Sequence, residues 1–424
     1  MTQLDGFDRT LIDWLDEQAG HGVPGYLDEA LARTIRTRQR PWWSSRERWL
    51  PMQTTLRFAP APRTAWLLVV IGLIVAVGAA ALWVGSRQRL PAPFGPARNG
   101  AIVSSHDGDI YAVDSATHAE RLLVAGETFD FGPAFSRDGT KLMFLRGAAT
   151  AAGDAQGLSL AVANADGTAI RVLTPYVQGL DWADWSPDSR QIAFLSRKTA
   201  KAPGVINVVN VDGTGLTTLD VGRPAHFLSW LPPLGREIVF RAGQDTPMES
   251  PPGIWAVHPD GTGLRQISTR PATDEFDYGN LAVAPDGSEV SYSASGPVAE
   301  IHVLDLRTGV DRVLPAPEVF TQQWGTPSFS PDGRQIGYVR GNHVNDAFQF
   351  VVAPADGSGT GTPLGPSVPY PSGDINWIFT PDGSAVVVDY GEEGVVRMLP
   401  IDGSPGSVLT RGDLSFADIQ RLAP

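Results

Sequence analysis

The feature that most constrains this chain is a short turn pattern that recurs along its length. An aromatic or aliphatic residue precedes Ser/Thr-Pro-Asp-Gly, and alternating apolar residues follow. The copies read Phe135-Ser-Arg-Asp-Gly139, Trp185-Ser-Pro-Asp-Ser189, Val283-Ala-Pro-Asp-Gly287, Phe329-Ser-Pro-Asp-Gly333 and Phe379-Thr-Pro-Asp-Gly383. A degenerate copy, Trp230-Leu-Pro-Pro-Leu-Gly235, carries one extra residue. The last turn position falls at 139, 189, 235, 287, 333 and 383, in steps of 50, 46, 52, 46 and 50. Repeats of this period form stacked arrays or propellers, because one unit alone cannot bury its apolar faces.

The pattern is a hairpin. Pro presets φ at the first turn position, Asp accepts local backbone N–H groups, and Gly takes the left-handed conformation. The flanks alternate with period two, as strands do. A second hairpin follows in each unit, and at Asp212-Gly213 and Asp260-Gly261 it turns on Asp-Gly. Four short antiparallel strands per unit make one propeller blade. The 46 Gly and 35 Pro suit a chain with so many tight turns.

Six full units start near 129, 180, 227, 278, 324 and 374. Residues 100–123 supply three more strands without an innermost one. Ser415-Phe-Ala-Asp-Ile419, similar to Asp181-Trp-Ala-Asp-Trp185, supplies a first strand without the rest. Joined, these pieces predict a mainly β fold over 99–424: a seven-bladed β-propeller closed by strands from both its ends. Closure removes the open edges that invite aggregation. A six-bladed ring with terminal extras is the alternative.

Over 129–410 the repeats resemble TolB-type propeller repeats, the Ser-Pro-Asp-Gly class related to WD repeats. The resemblance implies a rigid disc that binds protein or ligand. It does not specify a function, because propellers host many unrelated ones.

Upstream, no charged residue occurs from Thr64 to Gly85. The apolar run Ala65–Val84, as a helix, covers about 30 Å, the hydrocarbon thickness of a bilayer. Trp66 and Trp83 stand near its ends, where aromatic belts form. The run exceeds the apolar core of a signal peptide and begins too far into the chain for one. Residues 64–85 are therefore expected to be a transmembrane helix, and 86–98 a short Pro-rich stalk. Eight Arg and one acid lie between Arg33 and Arg63, against Arg87, Arg89 and Arg98 on the far side. The positive-inside rule then puts the N-terminus in the cytoplasm and the propeller outside the plasma membrane.

Residues 1–63 are too few for much of a core. Helical spacing of Leu4, Phe7, Leu11, Trp14 and Leu15 predicts an amphipathic helix over 4–19, and Pro24 opens a second, over 24–38. Arg38, Arg40, Trp42, Trp43, Arg46, Arg48 and Trp49 follow. Such a mix suits the headgroup surface beside a span, where Arg meets anionic lipid. It also suits a protein partner, or single-stranded nucleic acid, on which aromatics stack. Leu11-x-x-Trp14-Leu15, Tyr26-Leu27-Asp28-Glu29-Ala30-Leu31 and Thr37-Arg-Gln-Arg-Pro-x-Trp43 resemble cytoplasmic segments of bacterial membrane proteins linked to sigma factors, some of them anti-sigma factors. That resemblance implies a cytoplasmic protein partner. The His/Cys zinc motif of many anti-sigma domains is absent, since the chain has no cysteine.

The lack of Cys also excludes disulfides, thiolate metal sites and a Cys nucleophile. The net charge of −13 divides unevenly. Residues 1–98 hold 12 basic and 8 acidic groups, or +4, and residues 99–424 hold 21 and 38, or −17. So acidic a propeller argues against nucleic acid as its partner. The seven His (21, 106, 118, 226, 258, 302 and 343) show no metal-ligand spacing and read as surface or loop residues. Gly357-Ser-Gly-Thr-Gly361 lacks the Lys of a phosphate loop and occupies the repeated turn. Asp138, Asp188, Asp286, Asp332 and Asp382 read as turn requirements. Phe135, Trp185, Phe329 and Phe379 read as core between blades.

The candidate binding residues lie on segments leading into innermost strands: Asp181, Trp182, Asp274, Glu275, Asp277, Trp324 and Trp377. Acid beside aromatic suits a cation, a sugar or a basic partner segment. With no catalytic constellation, metal or cofactor motif, the expectation is a non-enzymatic, anchored binding or scaffold module, with envelope sensing or signalling as its role. The alternatives are a hydrolase or lyase with its site in the propeller channel, or an anti-sigma-like regulator acting through residues 1–63.

Overall fold

The chain divides into two compact units, Met1–Arg87 and Gln88–Pro424. The structure, a computed structural model, describes residues 72–73, 91–114, 117, 119–149, 155–175, 179–198, 202–242, 253–268, 281–294, 300–315, 322–342, 347–369, 376–389, 395–411 and 415–423. In the first unit only 72–73 are described, and they are helical. Among the described residues no helix is long and apolar enough to cross a membrane. The expected span 64–85 lies outside the described residues apart from that pair. So do the expected helices 4–19 and 24–38 and the stretch from Arg38 to Trp49.

The second unit contains seven four-stranded antiparallel sheets. Blade 1 comprises β1 (Arg98–His106), β2 (Asp109–Val113), β3 (Glu120–Val124) and, on its inner side, β28 (Ser415–Leu422). Blade 2 runs β4 (Thr128–Phe135), β5 (Lys141–Ala149), β6 (Ala155–Asn164), β7 (Arg171–Val172). Blade 3 runs β8 (Gly179–Trp185), β9 (Gln191–Arg197), β10 (Val205–Asn210), β11 (Thr217–Leu219). Blade 4 runs β12 (Ala225–Trp230), β13 (Ile238–Ala242), β14 (Gly253–Val257), β15 (Arg265–Ser268). Blade 5 runs β16 (Leu281–Val283), β17 (Glu289–Ala294), β18 (Glu300–Asp305), β19 (Asp311–Val313). Blade 6 runs β20 (Gln322–Phe329), β21 (Gln335–Asn342), β22 (Ala347–Pro354), β23 (Thr362–Pro369). Blade 7 runs β24 (Asn376–Phe379), β25 (Ala385–Asp389), β26 (Val395–Pro400), β27 (Ser407–Arg411).

Seven apolar clusters join these blades into a ring. Val103 and Ile110 of blade 1 pack with Phe135 and Phe144 of blade 2. Met143 and Leu160 pack with Trp185 and Ile192 of blade 3, and Leu195 and Ile206 with Trp230 and Phe240 of blade 4. Val239 and Ala256 meet Leu281 and Tyr292 of blade 5, and Ile301 and Val303 meet Tyr338 and Val351 of blade 6. Phe350 and Val352 meet Phe379 and Val386 of blade 7. The last cluster places Val387 and Val396 of blade 7 against Ile102 and Ile419 of blade 1. That seventh seam decides for seven blades over six. Burial of each such side chain contributes about 1.5–3 kcal/mol.

Closure uses the expected splice. Strand β28 pairs antiparallel with β1, with Arg98 opposite Leu422, Ile102 opposite Ile419 and Ser105 opposite Ser415. The innermost strands of neighbouring blades contact one another, as β28 does with β4 and β24, and β12 with β8 and β16. They therefore surround the axis. Several carry a bulge just before the turn, at Phe131/Ala134, Leu180/Ala183, His226/Leu228 and Trp324/Ser328. A bulge bends the strand and re-aims its side chains.

The recurring turns all lie at one end of the ring, the turn face. The opposite end of the ring, where second strands end and third strands begin, is the loop face. In the turns, Asp138 Oδ1 accepts the Ser136 hydroxyl at 2.6 Å and the Thr140 N–H at 3.0 Å. Asp188, Asp332 and Asp382 accept from Ser186, Ser330 and Thr380 at 2.7, 2.6 and 2.7 Å. Gly139 and Gly383 have φ of 69° and 72°, and Ser189 holds 59° without glycine's freedom. The acids thus serve the turns, and Gly357 (φ 75°) sits in a turn as expected.

Candidate functional site

Of the expected binding residues, Asp181 and Trp182 lie in β8, Trp324 in β20 and Trp377 in β24. Asp274, Glu275 and Asp277 lie outside the described residues. Trp182 is half-buried against the seam of blades 3 and 4, where its indole N–H donates to the Leu228 carbonyl at 2.8 Å. Its ring meets Phe227 edge-on at 5.9 Å. Phe227 itself has φ of 43° at the bulge of β12, a strained conformation for an aromatic residue. Trp377 donates to the Ser328 hydroxyl of blade 6 at 3.0 Å and packs on Phe350 at 5.4 Å. Both indoles therefore spend their polar tips on bonds between blades.

Two clusters that the sequence reading did not single out are more concentrated. The first occupies blade 5. His302 stacks on Tyr292 at 5.2 Å with planes 16° apart, as their cross-strand pairing in β18 and β17 requires. Asp311 accepts the Tyr292 hydroxyl at 2.9 Å and faces His302 Nδ1 at 3.3 Å. Glu300 lies 3.4 Å from His302 Nε2. Carboxylates thus face both imidazole nitrogens, and Tyr292, Asp311, His302 and Glu300 form one continuous polar chain. Beside it, burial holds the Arg241 guanidinium down to about 10, against the opposing influence of Tyr292. His302 is only 1% exposed, so the expectation that every His is a surface or loop residue fails at this position. Blade 1 carries a more open relative: His106 stacks on Tyr111 at 3.8 Å and lies 3.3 Å from Glu120. Among the described residues no group of three or more His, Asp or Glu side chains could hold a metal.

The second cluster lies on the turn face. Arg137, which stands where other copies have Pro, donates to Asp184 Oδ1 at 2.6 Å. The other oxygen of Asp184 accepts the Ser229 hydroxyl at 3.0 Å and the Trp230 N–H at 2.9 Å. Asp418 accepts the N–H of Phe135 at 2.6 Å and of Ile419 at 2.8 Å. Burial pushes its carboxyl up, outweighing these bonds and the nearby Arg137 and Arg421.

Residues 91–97 lie across this cluster as a strap. Arg421 Nη2 donates to the carbonyls of Ala92, at 3.1 Å, and Gly95. The Phe94 ring lies 5.3 Å from the Arg137 guanidinium carbon. Ala97 N–H donates to Pro381 O at 2.8 Å in the blade 7 turn. Within the second unit, the chain therefore joins its ring on the turn face.

No protein-family model matches the sequence, and no curated protein matches it. Solved structures do match. TolB from Acinetobacter baumannii is similar at 17% identity, over 77% of this chain and 81% of that one, with a TM-score of 0.47. An oligogalacturonate lyase in complex with manganese is similar at 15% identity, over 74% of this chain and 88% of that one, with a TM-score of 0.51. Prolyl oligopeptidase B from Galerina marginata matches at 12% identity, over 77% of this chain and 52% of that one, with a TM-score of 0.51.

The chain is a seven-bladed β-propeller. At these identities the likeness is one of fold. It nevertheless corrects one expectation. A lyase and a peptidase share this propeller, so the lack of a catalytic motif in the sequence does not make the chain a non-enzyme, and catalysis is open to it.

Proposed function

We propose that this chain is a single-pass membrane protein whose extracytoplasmic propeller binds a protein or small ligand on its loop face. The observation that carries the reading is the strap. Residues 91–97, which follow the apolar run 64–85, lie on the turn face and hold blades 1, 2 and 7. The loop face carries none of the strap, and the inner strands β8, bulged at Trp182, and β24, with Trp377, start from it. In this reading the propeller samples the cell envelope, and residues 1–63 meet anionic lipid and a cytoplasmic partner.

The absence of native cysteine makes the test clean. Single variants Thr2→Cys and Ser404→Cys in the full chain are labelled in intact cells with a membrane-impermeant maleimide. The thiol at position 404 is expected to react at once, and the thiol at position 2 only after permeabilisation. The reverse order, or equal reaction of both before permeabilisation, sinks the reading. Photo-crosslinking from position 182 then identifies what the loop face holds.

A further inference from the structure

We propose that Arg137 and Arg421 form a site for an oxyanion, a carboxylate or a phosphate, on the turn face, and that the strap covers it. This inference does not depend on membrane anchoring.

The two guanidiniums come from different blades, Arg137 from the turn after β4 and Arg421 from β28. Both lie against the same strap, Arg421 on the Ala92 and Gly95 carbonyls and Arg137 beside the Phe94 ring, and burial, then Arg137, hold Arg421 down to about 10. Proteins seldom leave two such groups together without a shared anion, because buried charge requires a partner. The acids present do not fill that role completely. Asp184 takes one nitrogen of Arg137 and spends its other oxygen on Ser229 and Trp230. Asp418 is spent on two backbone N–H groups, and burial favours its uncharged form. The Nε atoms of both Arg137 and Arg421 are buried and make no hydrogen bond. An Nε–H beside an Nη–H is the fork that matches two oxygens of a carboxylate or phosphate.

What Arg421 holds instead is instructive. Its acceptors are the backbone oxygens of Ala92 and Gly95, neutral stand-ins that the strap supplies. Phe94 lies near the Arg137 guanidinium and covers it from the same side. Neutral acceptors bind a guanidinium more weakly than an anion does. An anion that displaces the strap therefore gains charge-assisted bonds at the cost of the Phe94 contact.

The test is a titration of the full-length solubilised protein with inorganic phosphate, followed by 31P line broadening, and in parallel with acetate by calorimetry, both at constant ionic strength. Saturable binding is expected for at least one of the two, and the arm that saturates names the oxyanion. Phe94→Ala should tighten it at least threefold, because the strap competes less well. Arg137→Gln, on a half-exposed turn, should weaken it at least tenfold while leaving the unfolding midpoint within a few degrees. Arg421→Gln should do the same where it folds. The proposal is overturned if neither anion saturates with wild type or Phe94→Ala. It is equally overturned if binding survives Arg137→Gln unchanged.

Discussion

The carboxyl group of Asp418, in the last strand, accepts the backbone N–H of Phe135 at 2.6 Å across 283 positions of sequence. Asp184 repeats the bond from blade 3 to Trp230 of blade 4 at 2.9 Å. These two acids occupy equivalent places in Phe-Ala-Asp and Trp-Ala-Asp. Each ties the inner strand of one blade to the next just where the turn begins.

Asp418 should therefore give the ring a pH-dependent stability. Its folded pKa is raised by burial, so its contribution is fully present below the unfolded carboxyl value. The contribution is lost as pH rises through the folded value. Asp418→Asn keeps an acceptor for Phe135 but cannot ionise. Urea unfolding at a series of pH values should show the variant gaining stability relative to wild type as pH rises across that window. Parallel curves would contradict this.

Ser189 holds a left-handed φ of 59° and accepts the Asp138 N–H of the neighbouring turn at 3.1 Å. Ser189→Ala loses the hydrogen bond and keeps the strain. Ser189→Gly loses the bond and sheds the strain. The alanine variant should be less stable than the glycine variant by about 1 kcal/mol, measured by denaturant unfolding.

Arg146 donates to both oxygens of Asp130, each at 2.7 Å, and the Asp130 side chain is fully enclosed. Arg146→Met leaves that buried carboxylate with the Thr128 hydroxyl but without its countercharge, and should cost about 3–5 kcal/mol. The double variant Asp130→Leu with Arg146→Met should recover most of the loss. A thermodynamic cycle over the three variants checks both statements; a double variant as unstable as the single one would count against them.

Ile419 is buried where blades 7 and 1 meet. Ile419→Ala should cost about 2–4 kcal/mol in urea unfolding. Removing residues 415–424 should do more than destabilise. It bares the inner edge of β1, and unpaired edges recruit other chains. Size-exclusion chromatography should then show aggregates that the point variant does not form.

The turn chemistry makes the fold legible in the sequence itself. Pro, Asp and Gly impose their conformations locally, so Phe379-Thr-Pro-Asp-Gly383 announces its hairpin without help from the rest of the chain. The likeness of residues 415–419 to 181–185 exposed the splice for the same reason. The candidate site was less legible because it is assembled across blades. Arg137, Asp184, Asp418 and Arg421 meet only once the ring has closed. The local trace of that meeting is the Arg that replaces Pro in Ser136-Arg-Asp-Gly139. His302 was misjudged for a different reason. Alternation assigns one face of a strand to water, but residues 301–304 of blade 5 are buried on both faces because neighbouring blades cover each side.

The splice in blade 1 also gives the fold a built-in order of events. Arg98 is among the first residues of the ring to be made, yet its partner Leu422 is among the last. Each of the other six blades draws all its strands from one continuous stretch and can form as it emerges. Blade 1 must wait with a bare strand until residue 422 is available. A product interrupted anywhere before 415 keeps that edge of β1 unpaired. Joining first to last thus works as a check on completeness, made by the sheet itself.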